Sequence, residues 1–206
     1  MIICNSKKFI FIHIPKNSGS EMSKQIQKIY KDSKRLSLVE RNGINIGIDK
    51  MHLYNDVISK FINDDILDKY LKFCIIRNPY NKLYSAWNFI QKRHGYDNVN
   101  DFVKYKLNEE FIFGLEIIPG DARVHYRPQY TFIYNNKNNK TVDFIIKYEN
   151  LNNDIKLLNE KFNLKIPLYD NNLNKNYIQF FNEESIKKIN ILYKKDFDLF
   201  GYDMII

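Results

Sequence analysis

Apolar residues first gather in a short run, Phe9, Ile10, Phe11, Ile12 and Ile14, which stops at Pro15 and gives way to Lys16, Asn17, Ser18, Gly19 and Ser20. A run that is apolar at nearly every position suits a strand covered on both faces of a parallel sheet, so Lys8 to Ile14 is predicted as a strand. From Ser20, taken as the N-cap, Met22, Ile26, Ile29 and Tyr30 recur at helical spacing, while Lys24, Lys28 and Lys31 fall elsewhere on the wheel. The same grammar recurs at Lys72 to Arg77, KFCIIR, which runs into Asn78-Pro79. There the asparagine can cap and the proline can take the first helical position of a helix burying Leu83, Ala86, Trp87 and Ile90. Val142 to Tyr148 reads as a third strand. A helix from about Asn152 to Phe162 follows it, with Ile155, Leu158 and Phe162 on its apolar face.

Between these units, Asn55 to Tyr70 suits one or two short helices, and Val99 to Phe113 carries helical hints before the loop signal Pro119-Gly120. A single last helix from Glu183 to about Phe200 places Ile186, Ile189, Leu192, Tyr193, Phe197 and Phe200 on one broad stripe. Asn135 to Asn139 and Asp170 to Asn176 read as loops. Strands alternating with helices predict an α/β fold with a central parallel sheet flanked by helices, and 206 residues fit one domain spanning 1–206.

A formal charge of +8 favours an anionic ligand, but the lysines are spread along the chain rather than massed. The pattern lacks zinc-ligand spacing, a helix-turn-helix cue and an aromatic-basic RNA signature, which argues against nucleic acid as the partner. Cys4 and Cys74 make neither a disulfide framework nor a metal cluster, so a reducing compartment is expected. The first residues lack a signal-peptide pattern, and no window approaches the ~20 apolar residues of a membrane span. A soluble cytoplasmic protein is the expectation.

The chemistry concentrates on two turns. Freed N–H groups at a helix start, a glycine permitting close approach and one lysine make the loop Lys16 to Ser20 a receptor for a phosphate-like anion, with an ordinary βα turn as the competing reading. The loop lacks the G-x-x-x-x-G-K-[ST] spacing of ATPases, and G-x-G-x-x-G occurs nowhere. In R-N-P-Y-N-K-L-Y-S-A-W, Arg77 ends a strand and Ser85 falls on the polar side of the next helix, so both can converge on one phosphate monoester. Two anion sites on neighbouring βα turns suggest a nucleotide with separate 5′ and 3′ phosphates.

HIPKNSGS resembles the 5′-phosphosulfate loop, and RNPYNKLYSAW the 3′-phosphate motif, of sulfotransferases that use 3′-phosphoadenosine 5′-phosphosulfate (PAPS), particularly the carbohydrate-modifying, sulfotransferase 2-like family. His125-Tyr126-Arg127-Pro128-Gln129 is similar to that family's H-x-x-P-Q segment. Phe144 to Leu151 resembles its strand ending in Glu-Asn-Leu, and Tyr193 to Tyr202 its C-terminal signature. The chain departs from the pattern at Asn78, where an acidic residue is usual, at Lys82, where arginine is usual, and at Asn17-Ser18. The resemblance implies a P-loop-NTPase-like three-layer fold and PAPS as donor without a required metal. It further implies a carbohydrate or glycoconjugate acceptor, Lys16 on the leaving group, and donor contacts from Asn17, Ser18, Gly19, Ser20, Arg77, Ser85 and Lys175. His52 matches the position of the family's base, with His125 the competing base or an acceptor contact beside Arg127. A kinase-like nucleotide-dependent transferase and a noncatalytic polyanion-binding protein remain the alternatives.

Overall fold

The computed structural model describes residues 1–35, 40–41, 44–45, 62–114, 122–169 and 176–206. Strands β1 (Ile2–Cys4), β2 (Phe9–Ile12), β3 (Lys34–Arg35), β6 (Leu71–Ile76) and β7 (Phe144–Lys147) form one sheet in the order β3-β1-β2-β6-β7, and β4 (Glu40–Arg41) and β5 (Ile44–Asn45) pair apart from it. The middle of the sheet is parallel as expected, β2 with β6 and β6 with β7. Its edge is not, because β1 runs antiparallel to both β2 and β3. Only the short polar stretch Asn5 to Lys8 separates Cys4 from Phe9. That is enough for a hairpin and far too little for a parallel crossover. Lys8 takes a left-handed φ of 50° in this turn, and Asp32 fastens it by accepting from Ser6 N and Ser6 Oγ, each at 2.7 Å.

Alternation along the strands sorts the core into layers. Phe9, Phe11, Phe73 and Ile75 pack with Met22 and Ile26 of α1 (Gly19–Ile29) and with Ile155 and Leu158 of α7 (Leu151–Phe162). Ile10, Ile12, Cys74 and Ile76 turn to the opposite face, against Phe132, Ile133 and Phe200. The helix after β6, α3 (Pro79–His94), begins as its sequence predicts, with Asn78 Oδ1 accepting from Tyr80 N and Pro79 in the first turn. It buries Leu83, Ala86, Trp87 and Ile90 against Phe102 and Val103 of α4 (Val99–Tyr105). Short pieces connect these units: α2 (Asp64–Lys69), α5 (Glu109–Phe113), α6 (Tyr130–Ile133) and 3₁₀ turns at Ala122–His125, Tyr148–Asn150 and Ile178–Phe180.

The C-terminal helix differs from its prediction. It is broken into α8 (Glu183–Leu192) and α9 (Lys194–Phe200), with Tyr193 at φ −110°, ψ 17° between them. The break serves polar partners within the core. Tyr193 donates its hydroxyl to the Tyr126 carbonyl at 2.6 Å, and the fully buried Asp196 accepts from the Gln129 and Tyr130 N–H groups at 2.7 and 2.8 Å. A continuous amphipathic stripe hid Asp196, because an acidic residue inside an apolar face looks like interruption rather than anchorage. Replacing Asp196 with Ala strands both N–H donors in the core. We expect a loss of roughly 3 kcal/mol of stability, read as a lower urea midpoint with unchanged m-value.

Candidate active site

A cleft of about 580 Å³ opens beyond the C-terminal ends of β2 and β6, the place where parallel α/β sheets hold ligands because the chain must part there to start its helices. The residues after each strand line it. From the first turn come Lys16, Ser18, Gly19 and Ser20, with Glu21 and Lys24 of α1; from the second come Arg77, Ser85 and Phe89; His13, His125 and Tyr148 complete the wall. Seven of the predicted site residues thus meet in one cleft: Lys16, Ser18, Gly19, Ser20, Arg77, Ser85 and His125. His52 and Lys175 lie outside the described residues.

Local conformation explains the first turn. Lys16 and Ser18 both have left-handed φ, 68° and 63°, an alternation that points successive N–H groups into a shared concavity suited to an anion. Ser18, not Ser20, is the N-cap of α1, and it makes no side-chain cap hydrogen bond. Ser20 sits one residue inside the helix, so the first-turn N–H groups lie closer to the loop than the sequence suggests. Gly19 is there for space: a Cβ at this position would stand 2.0 Å from His13 Cδ2. His13, the residue after β2, is buried, stacks on Phe11 at 6.1 Å and also borders the cleft.

Arg77 is buried and held from several sides. Its Nη1 donates to the Lys16 carbonyl at 3.2 Å, and its guanidinium carbon lies 4.2 Å from the Tyr148 ring centre and 5.6 Å from that of Tyr177. Arg77 Nε is buried with no hydrogen-bond partner among the described residues. The Lys16 ammonium rests 3.8 Å from the centre of the exposed Phe89 ring, and burial, reinforced by the Arg77 charge, lowers its pKa to about 8. His125 sets its Nδ1 3.2 Å from the Ala122 carbonyl. A carbonyl only accepts, so Nδ1 carries the proton and Nε2 is the basic nitrogen of the neutral ring.

A family model described as "Sulfotransferase family" matches residues 1–203 of the 206-residue chain. The chain belongs to the sulfotransferase family. No curated protein and no solved structure gives a significant match. Membership brings sulfuryl transfer as the general activity. Among the described residues no helix is long and apolar enough to cross a membrane, and no group of three or more His, Cys, Asp or Glu could hold a metal ion.

Within this sulfotransferase, several predicted residues do something other than line the cleft. The Asn17 side chain turns inward, donating from Nδ2 to the Ile75 carbonyl at 2.8 Å and to Gln129 Oε1 at 2.7 Å, which leaves the cleft only its backbone. Arg127 does not line the cleft; its carbonyl and that of His125 accept from the Lys82 ammonium at 2.8 and 2.9 Å. Lys82, which replaces the family's usual arginine, is therefore a buried strut beneath the His125 segment. Glu149 orients loops, accepting from Asn78 N at 2.7 Å and Tyr202 hydroxyl at 2.8 Å.

Sequence reasoning missed Tyr148, Phe89 and Gln129. Tyr148 ends the third predicted strand, where an aromatic reads as core. Phe89 sits four residues after Ser85 on one helix face, a spacing that was available in the sequence. The close approach of His13 to the first turn gives a direct test. Gly19→Ala is expected to cost about 2 kcal/mol by overpacking, and His13→Ala in the same chain should recover most of it. Thermal melts of the two single variants and the double variant measure that coupling.

Proposed function

We propose that the chain, acting as one domain over residues 1–206, transfers a sulfuryl group from PAPS to a hydroxyl of a carbohydrate or glycoconjugate, releasing adenosine 3′,5′-bisphosphate. The observation that carries this reading is the convergence of the Lys16–Ser20 turn with Arg77 and Ser85 in one cleft. Its residues suit a ligand phosphorylated at both ends. The left-handed pair at Lys16 and Ser18 presents backbone donors on one side, and Arg77, whose buried Nε has no partner among the described residues, presents a guanidinium on the other.

When bound, the donor supplies the electrophilic sulfuryl group. The N–H groups of Asn17 to Ser20 would hold its 5′ phosphate at the start of α1. Arg77 and Ser85 would hold the 3′ phosphate, with Tyr148 keeping the guanidinium plane fixed. Lys16 would place its ammonium where negative charge grows on the leaving oxygen, the position at which a fixed cation lowers the barrier most. Lys175 is retained as a loop residue closing over the nucleotide. His52, which matches the position of the family's base, would take the acceptor proton, and His125, whose Nε2 is the nitrogen that would accept it, is the alternative base or an acceptor contact. Arg127, which lies outside the cleft lining, would contact an anionic acceptor only beyond the cleft itself. Two buried free cysteines, Cys4 and Cys74, fit a reducing, cytoplasmic setting.

Calorimetric titration tests the donor site without knowledge of the acceptor. Adenosine 3′,5′-bisphosphate should bind selectively over AMP and ATP, and Arg77→Ala should remove that selectivity. Equal binding of AMP by a folded sample would sink the proposal.

The charge state of Lys16 yields a further expectation. Its pKa of about 8 lies below the usual lysine value, so the ammonium needed on the leaving group is lost as pH rises through 8. Hence kcat/KM should fall roughly tenfold per pH unit above that point. Bound phosphates favour the ammonium, so the corresponding limb of kcat should lie at higher pH. A flat profile from pH 7 to 10 would remove Lys16 from this role.

A further inference from the structure

We infer that Gln129 is a positioning residue that sets the distance between the two anion-binding turns and thereby makes the site selective for a nucleotide phosphorylated at both ends. This rests on the reading above and adds a residue to it that contacts no ligand.

The argument starts from the place where the sheet opens. The parallel ladder of β2 and β6 runs from Phe9 beside Leu71 to Ile12 beside Cys74, and then the strands part. Past that point the backbone polar groups of Ile75 and Arg77 lose their neighbour strand and still lie inside the protein, where unpaired groups are costly. Two side-chain amides replace the missing strand. Asn17 Nδ2 reaches back to the Ile75 carbonyl at 2.8 Å. Gln129 takes both backbone groups of Arg77, its Oε1 accepting from Arg77 N at 2.8 Å and its Nε2 donating to Arg77 O at 2.8 Å.

The same Gln129 Oε1 accepts from Asn17 Nδ2 at 2.7 Å. One fully buried amide therefore holds a residue of the first anion turn and a residue of the second simultaneously. Its own position is fixed from behind, because Gln129 N donates to Asp196 Oδ2 at 2.7 Å, with Nε2 at 3.4 Å from the same oxygen. The Lys82 ammonium braces the chain just before it through the His125 and Arg127 carbonyls. None of the groups that would touch phosphate is Gln129, which is absent from the cleft lining. Its amide acts on the gap between two sites, a quantity that matters to a ligand bridging both and not to a ligand using one.

The test uses this difference. Wild type, Gln129→Met and Asn17→Ser are titrated with adenosine 3′,5′-bisphosphate and with AMP by calorimetry, well below the melting temperature of each. In Gln129→Met the bisphosphate affinity should fall roughly 30-fold, toward that of AMP, as for the loss of bonds worth about 2 kcal/mol. The affinity for AMP, which engages the first turn alone, should change less than about threefold. Asn17→Ser, which cuts the tether while keeping the loop backbone, should lower the ratio of the two affinities in the same direction and decides the matter if Gln129→Met does not fold. A ratio unchanged in folded variants overturns the inference while leaving the donor assignment intact. Equal loss of both ligands also overturns it, by showing a merely structural residue. If wild type itself does not distinguish the two ligands, the donor reading fails, and with it the basis of the inference.

Discussion

The structure depends on how a parallel sheet ends. β2 and β6 must be paired to bury Phe11, Phe73 and Ile75, and they must separate to release α1 and α3. The crevice that results is useful only if the backbone groups abandoned by the ladder are satisfied. Here two buried amides do this, Asn17 from the first turn and Gln129 from the segment before α6, and the buried carboxylate of Asp196 in α9 holds Gln129 in place behind them. The polar core and the cleft are two sides of one arrangement, since the groups that seal the protein beneath the crevice also fix the residues at its rim.

That arrangement explains why lysine is accepted at position 82. A buried ammonium would be costly unless its hydrogens met acceptors, and the carbonyls of His125 and Arg127 supply them, with Asp196 contributing favourable charge. Arginine's wide fork is dispensable at such a site, because its targets are carbonyl oxygens and not a planar carboxylate or phosphate. Asn78 stands where an acidic residue is usual, yet it caps α3 and is itself held by Glu149 through its N–H, so this departure from the family pattern does not disturb the start of the helix.

Much of this was legible in the chain. The alternation of continuous apolar runs with helical stripes located β2, β6, β7 and the helices after them, because residues buried on both faces leave an unmistakable pattern. The convergence of Lys16, Arg77 and Ser85 on one cleft was legible too, because βα turns on neighbouring parallel strands bring their residues to the same end of the sheet. What escaped were features set by geometry rather than pattern. The β1 hairpin rests on three residues, Ile2–Cys4, too few for any periodicity to register. The break at Tyr193 is decided by Asp196 meeting N–H groups 66 and 67 residues away, and no local window contains that information. Tyr148, an aromatic at a strand end, was indistinguishable from core until Arg77 was found stacked on it.

The Lys16 ammonium and the Arg77 guanidinium face the same cleft, and their mutual repulsion is part of what depresses the lysine. An anion that enters between them does more than occupy a site. It would relieve a repulsion between two turns that core packing, a stacked Tyr148 and buried amides otherwise hold in place. Were such an anion bound to the folded state alone, ligand and framework would be energetically continuous, and the folded population would rise with the anion's supply.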